Sequence, residues 1–173
     1  MLRLFVGIDL PPELKLGLST MYVGVPGVRW IDPGNFHVTI RFIGEVDEAL
    51  AGDIDETLSR IRAPRFDLAL VGIGTFGTRQ LYVGVGKNDA LFHLRDKIES
   101  ALVRLGLEPE GRRYTPHVSL ARIKSVDERL HSFIRDHALY RAPPFAVERF
   151  SLIASYLTKA GPIYEDRADY RLI

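Results

Sequence analysis

Apolar and polar residues alternate in short runs along most of the chain, broken by three stretches in which apolar residues recur every three or four positions. The alternating runs read as strands and the longer period as helices. Leu4 to Leu10 is the first strand, and Pro11-Pro12-Glu13 opens a helix reaching about Tyr22. Val28 to Ile31 is a short extended piece, Asp32-Pro33-Gly34-Asn35 a turn, and Phe36 to Ile43 a strand closed by Gly44. Leu50, Ile54, Leu58 and Ile61 share one face of a helix over Asp47 to Arg62, which Pro64 ends. Phe66 to Phe76 and Leu81 to Val85 read as paired strands. Leu91, Leu94, Ile98, Leu102 and Leu105 line a helix over Ala90 to Leu105, with Gly106 as its C-cap. Tyr114 to Ile123 is a strand and Asp127 to His137 a helix. Phe145 to Leu157 and Tyr164 to Leu172 end the chain as strands.

Strands and helices do not alternate one to one, so a doubly wound parallel sheet does not fit. The order predicts an α+β fold with antiparallel sheets. The chain also repeats itself. Phe36-His37-Val38-Thr39-Ile40 returns 80 residues later as Pro116-His117-Val118-Ser119-Leu120. Arg62-Ala63-Pro64-Arg65-Phe66 returns at an offset of 79 as Arg141-Ala142-Pro143-Pro144-Phe145. Two matches at nearly one offset point to a duplication. The expected architecture is two pseudo-symmetric lobes with antiparallel sheets facing a central cleft, helices outside, forming a single bilobal domain over residues 1–173.

Composition narrows the function classes. With 173 residues, 46% hydrophobic and 26% charged, the chain can bury a substantial core. It has no cysteine, which excludes disulfides, iron–sulfur clusters and thiolate zinc sites and suits a reducing compartment. The N-terminal segment lacks the pattern of a signal peptide, and no apolar run approaches the ~20 residues of a membrane helix, so a cytoplasmic protein is expected. Net charge is +1, too little for a bulk attraction to nucleic acid, although arginine dominates the basic side.

The repeated His-x-Thr/Ser carries the chemistry. On a strand, residues i and i+2 share a face, so His37 projects with Thr39 and His117 with Ser119. Each pair sets an imidazole, which moves protons near neutrality, beside a hydroxyl that can hold an anionic oxygen. Two such pairs across a cleft would flank a phosphorus atom, one histidine taking a proton from water and the other giving one to the leaving oxygen. Near symmetry leaves open which does which.

The opening Leu4-Phe5-Val6-Gly7-Ile8, His37 through Gly44, Thr115 through Arg122, and Ser155-Tyr156-Leu157 with Gly161 and Tyr164 resemble the RNA 2′,3′-cyclic phosphodiesterases of the 2H phosphoesterase superfamily, historically called 2′-5′ RNA ligases. The likeness spans the chain; Ser119 stands where threonine is commoner and keeps the hydroxyl. It implies His37 as proton donor, His117 as proton acceptor, and Thr39, Ser119 and Arg122 as phosphate ligands. Its substrates would be RNA with 2′,3′-cyclic phosphate ends and cyclic nucleotides, with no cofactor, no metal and no membrane, in a monomer.

Arg122 lies five residues after His117, on the wrong face of a regular strand, so a bulge or a strand end is needed between them. Arg41, at i+4 from His37, is placed on the catalytic face as a candidate RNA-phosphate anchor. Phe42, Phe76 and Tyr156 are candidates for base stacking. Three rival readings remain: a metal site, a non-catalytic nucleotide- or RNA-binding module, and 2′-5′ RNA ligation by the reverse reaction. No His-x-x-x-His or His-x-His spacing supports the first, and His93, His131 and His137 read as surface residues on helices.

Overall fold

The computed structural model describes residues 1–21 and 24–173. Its strands are β1 (Leu2–Asp9), β2 (Val28–Trp30), β3 (His37–Val46), β4 (Phe66–Leu68), β5 (Leu70–Phe76), β6 (Gln80–Val85), β7 (His117–Ile123), β8 (Phe145–Val147), β9 (Arg149–Thr158) and β10 (Gly161–Arg171). Its helices are α1 (Pro12–Ser19), α2 (Glu48–Ser59), α3 (Asp89–Leu105) and α4 (Glu128–His137). The expected helix end at Tyr22 lies outside the described residues; α1 closes at Ser19.

Side chains just ahead of the helices start them. Asp47 accepts from the Leu50 N–H, Asn88 from Leu91, and Asp127 from Arg129 and Leu130, each such cap contributing about 1 kcal/mol. Gly106 ends α3 with φ of 120°, as expected. The apolar stripes point inward: Ile54 and Leu58 of α2, and Leu91, Leu94, Ile98 and Leu102 of α3, are buried.

Two antiparallel four-stranded sheets result, ordered β10-β9-β1-β3 and β2-β7-β6-β5, with β4 and β8 paired as a separate ribbon. The stretches 66–76 and 145–157, each expected as one strand, are both broken, at Ala69 and at Glu148. The breaks fall at the same point of the repeat because each chain there leaves one partner for another. β4 pairs with β8, after which β5 joins β6 and β9 joins β1. The ribbon register is Phe66↔Val147, Asp67↔Ala146 and Leu68↔Phe145. Since position 66 repeats at 145, this is a sequence paired with its own copy about a pseudo-twofold at Asp67·Ala146. The histidine strand of each half then sits in a sheet completed by a strand of the other half: β1, β3 and β9 in one, β6, β7 and β5 in the other. β10 and β2 are the unmatched edge strands.

Both histidine strands are bulged at the same place. Val6 pairs with Arg41 and Gly7 with Thr39, leaving Ile40 over; Leu81 pairs with Ala121 and Tyr82 with Ser119, leaving Leu120 over. Beyond the extra residue the alternation changes phase. Arg41 and Ala121 therefore turn to the core, and Phe42 and Arg122 to the side of the histidines. A second shift lies near Gly44, whose φ of 95° bends β3 without ending it, so the strand runs on to Val46.

Arg41 is thus no RNA anchor. It is 7% exposed, and its guanidinium binds the Glu99 carboxylate (2.9 and 3.3 Å) and the carbonyls of Phe42 and Glu108. Burial pushes the Glu99 carboxyl up, but the hydrogen bonds from Arg41 and the Glu110 N–H, with the charges of Arg41 and Arg95, outweigh it and hold the group below the usual carboxylate range. Nearby, the Tyr114 hydroxyl donates to the Thr39 carbonyl at 2.8 Å. These contacts fasten the segment leading to His117 onto the strand that carries His37. Removing one partner of a buried pair strands the other charge. Arg41→Ala is therefore expected to cost about 3–5 kcal/mol in urea unfolding; a loss under ~1 kcal/mol, the scale of an exposed pair, would contradict this.

Candidate active site

β3 and β7 touch where the two sheets meet, which brings both histidine motifs to one cleft. His37 donates its Nδ1–H to the Asn35 carbonyl at 2.8 Å, and His117 donates its own to the Thr115 carbonyl at 2.7 Å. In each copy the acceptor lies two residues upstream, so both rings hold the same tautomer, with Nε2 free to exchange a proton. At His37, Nε2 lies 2.7 Å from Thr39 Oγ1, the i+2 hydroxyl. Ser119 Oγ accepts instead from the Gln80 side-chain amide.

Aromatic rings hold each imidazole in place. His37 lies 4.6 Å from the Phe5 ring and 5.3 Å from Tyr164, centroid to centroid. His117 lies 4.7 Å from Phe76 and 5.7 Å from Tyr82, which stack on each other at 4.3 Å. Two glycines make room. A Cβ on Gly7 would stand 3.1 Å from the Val38 carbonyl oxygen and 3.4 Å from the His37 ring, and one on Gly74 would fall 2.7 Å from the Tyr82 hydroxyl. Neither position accepts a larger side chain without moving the histidine's support.

Burial lowers the pKa of both histidines, because a desolvated imidazolium loses its hydration. The hydrogen bond to Asn35 works against this at His37, and so does the negative charge of Asp9; His117 and Lys15 add to the lowering. At His117 only the bond to Thr115 opposes burial. Asp9 faces His37 across the β1–β3 pair and also binds Lys15 at 2.7 Å. Its counterpart opposite His117 is Gly84. The duplicated sites are therefore alike in geometry and unlike in charge.

The remaining sequence candidates divide. Arg122 lies on the His117 face through a bulge, paired with Gln80. Phe42 is on the His37 face, 42% exposed, with the Arg3 guanidinium 5.4 Å from its ring centre. Phe76 supports His117 and is half-buried. Tyr156 does not join the cleft: Ile153 and Ser155 of β9 share the Phe5 face, so Tyr156 points to the other side. His93 and His131 are exposed as expected, whereas His137 is half-buried against Phe133, with ring centres 4.3 Å apart. Asp9, Gln80 and Tyr82 were not selected by the sequence reading, because their placement depends on strand register; no local motif marks them. Tyr164 lay in a segment singled out by resemblance, but only the fold sets its ring against His37.

Comparison with known proteins agrees with this arrangement. A sequence profile for LigT-like phosphoesterases matches residues 8–86 and again 83–164, one match per half of the duplication. The RNA 2′,3′-cyclic phosphodiesterase of Aeropyrum pernix is 38% identical over 158 residues, covering 87% of this chain and 89% of that one. The protein of the same name from Thermotoga maritima is 32% identical, covering 95% and 92%. The crystal structure of E. coli LigT in its apo form superposes with a TM-score of 0.84 at 26% identity, covering 99% and 97%; another crystal structure of E. coli LigT holds 3′-AMP (TM-score 0.81, 27% identity, covering 99% and 98%). With the duplicated histidine motif and the strand-exchanged sheets, these matches establish that the chain belongs to the LigT-like phosphoesterase family.

Proposed function

We propose that this protein is an RNA 2′,3′-cyclic phosphodiesterase that opens a terminal cyclic phosphate to a 2′-phosphate by two-histidine acid–base catalysis without a metal ion. We place it in the cytoplasm as a monomer, with the whole chain acting as one domain. The observation that carries the reading is the pair of imidazoles, each locked through Nδ1 by the carbonyl two residues upstream, with Thr39 Oγ1 on Nε2 of His37 and Ser119 on the same strand face as His117. In the reaction, His117 Nε2 takes a proton from water as its oxygen bonds to phosphorus. The P–O3′ bond breaks opposite, and His37 Nε2–H protonates the departing O3′. Thr39, Ser119 and Arg122 bind the non-bridging oxygens, where negative charge grows in the transition state. With a 5′-hydroxyl in place of water, His117 would take the hydroxyl's proton as its oxygen bonds to phosphorus. The P–O3′ bond would break and His37 would protonate O3′, leaving a 2′-5′ linkage; against water at ~55 M this is a minor route.

The acid role goes to His37 on charge. Asp9 favours the imidazolium of His37, and no carboxylate does so for His117. Two expected outcomes test this mechanism. On 2′,3′-cyclic CMP in excess EDTA, the wild type yields the 2′-monoester, and His37→Ala and His117→Ala each lose about 10²–10⁴-fold in kcat. Wild-type rates in both variants would end the catalytic reading, and a 3′-monoester product would reverse the acid and base. The pH profile of kcat/KM is a bell centred below the ordinary histidine value of 6.5, because one ring must be protonated while burial disfavours protonation of both. Asp9→Asn removes a charge that favours the His37 imidazolium and therefore moves one limb of the bell to lower pH; an unmoved profile would show that Asp9 does not act on a histidine of the reaction.

A further inference from the structure

β2 lies at the edge of its sheet and pairs only with β7, in the register Val28↔Ile123, Arg29↔Arg122 and Trp30↔Ala121. Cross-strand partners share a face. Trp30 packs toward Phe133, with ring centres 5.8 Å apart, opposite the buried Ala121, so Arg29 and Arg122 both face the other way. That is the side of His117 and Ser119, as the Gln80 side chain shows: Gln80 pairs with Arg122 and bonds Ser119 Oγ.

Two arginines directly opposite each other repel. Both are exposed, and neither is ion-paired among the described residues. The described residues that share their face in β5, β6 and β7 include Phe76, Gln80, Tyr82, Ser119 and His117, with no carboxylate among them. The facing sheet is different: Asp9, Asp166 and Asp169 lie on its cleft side. Those three are near enough that Asp9 and Asp169, after burial, raise the pKa of Asp166. That side of the facing sheet is mixed in charge, since Arg3 and Arg149 share it and Lys15 pairs with Asp9, whereas the face of Arg29 and Arg122 carries positive charge with no carboxylate among its described residues.

We infer that Arg29, opposite Arg122, forms a subsite for the phosphodiester one nucleotide upstream of the cyclic end, so that the protein prefers an RNA terminus to a mononucleotide. The inference rests on the phosphodiesterase reading above. Arg122 follows Ser119 by three residues, one of them absorbed in the bulge side of the strand, and so stands about two strand steps, or ~7 Å, along β7. Arg29 lies one strand further out, ~5 Å across. This sets two guanidiniums in sequence, outward from the proposed phosphate site beside Ser119. An exposed charge on an edge strand also discourages pairing with other chains. One charge suffices for that, and it would not need to face a second across the ladder.

The test compares 2′,3′-cyclic CMP with a hexaribonucleotide ending in cytidine 2′,3′-cyclic phosphate, in wild type, Arg29→Ala and Arg29→Lys. Arg29→Ala is expected to lower the ratio of kcat/KM for the hexamer to that for the mononucleotide about tenfold, the scale of one charge-assisted phosphate contact. The slope of log kcat/KM against log salt for the hexamer also flattens by about 0.7. Arg29→Lys keeps the charge and therefore the salt slope, which separates loss of the contact from any disturbance of the strand. An unchanged ratio in Arg29→Ala, or equal losses on both substrates, overturns the subsite while leaving the phosphodiesterase reading intact. Failure of the wild type to turn over either substrate overturns that reading, and the subsite with it.

Discussion

The pairing of β4 with β8 sets the arrangement of everything around it. Phe66, Asp67 and Leu68 lie antiparallel to their own repeats, Val147, Ala146 and Phe145. Only a strand crossing that point can leave its own half and complete the sheet of the other. Through this exchange β9 backs the strand beside His37 and β5 backs the strand beside His117. Each histidine strand is thus held in a sheet built from both halves of the chain, and β3 and β7 approach where the two sheets meet.

Within that frame, one extra residue in each histidine strand divides structural from chemical work. The bulge at Ile40 sends Arg41 inward, where it ties Glu99 and the segment before His117 to β3. The same bulge at Leu120 sends Arg122 outward to the cleft. A single backbone device thus makes an arginine a clamp in one copy and leaves an arginine free for an anion in the other. The copies have diverged in charge as well. Asp9 stands opposite His37 where Gly84 stands opposite His117, which puts two geometrically matched imidazoles in different electrostatic surroundings. A duplicated site needs such a difference to run a reaction with one acid and one base.

Much of this was legible in the chain. The period of apolar residues placed all three long helices nearly to the residue, because their buried stripes and side-chain caps are local features. The offset of the two motifs disclosed the duplication, and alternation on a strand put Thr39 with His37 and Ser119 with His117. Once resemblance gave Arg122 a role beside His117, its spacing called for a bulge or a strand end, and the structure has the bulge. The same logic failed at Arg41, since a bulge changes the face of every residue beyond it and nothing in His-Val-Thr-Ile-Arg marks where it falls. It failed at Tyr156 because counting along a strand cannot say which face meets the cleft.

The sequence by itself therefore determined the elements, the repeat and the candidate histidine motifs, all of which depend on residues close along the chain. The tertiary structure alone decided which strands exchange and where Phe66–Phe76 and Phe145–Leu157 break. It also decided which arginine is buried, and which aromatic and acidic side chains surround each histidine. Those outcomes follow from register between strands distant in sequence. Register is settled by the packing of whole faces, so no local pattern encodes it.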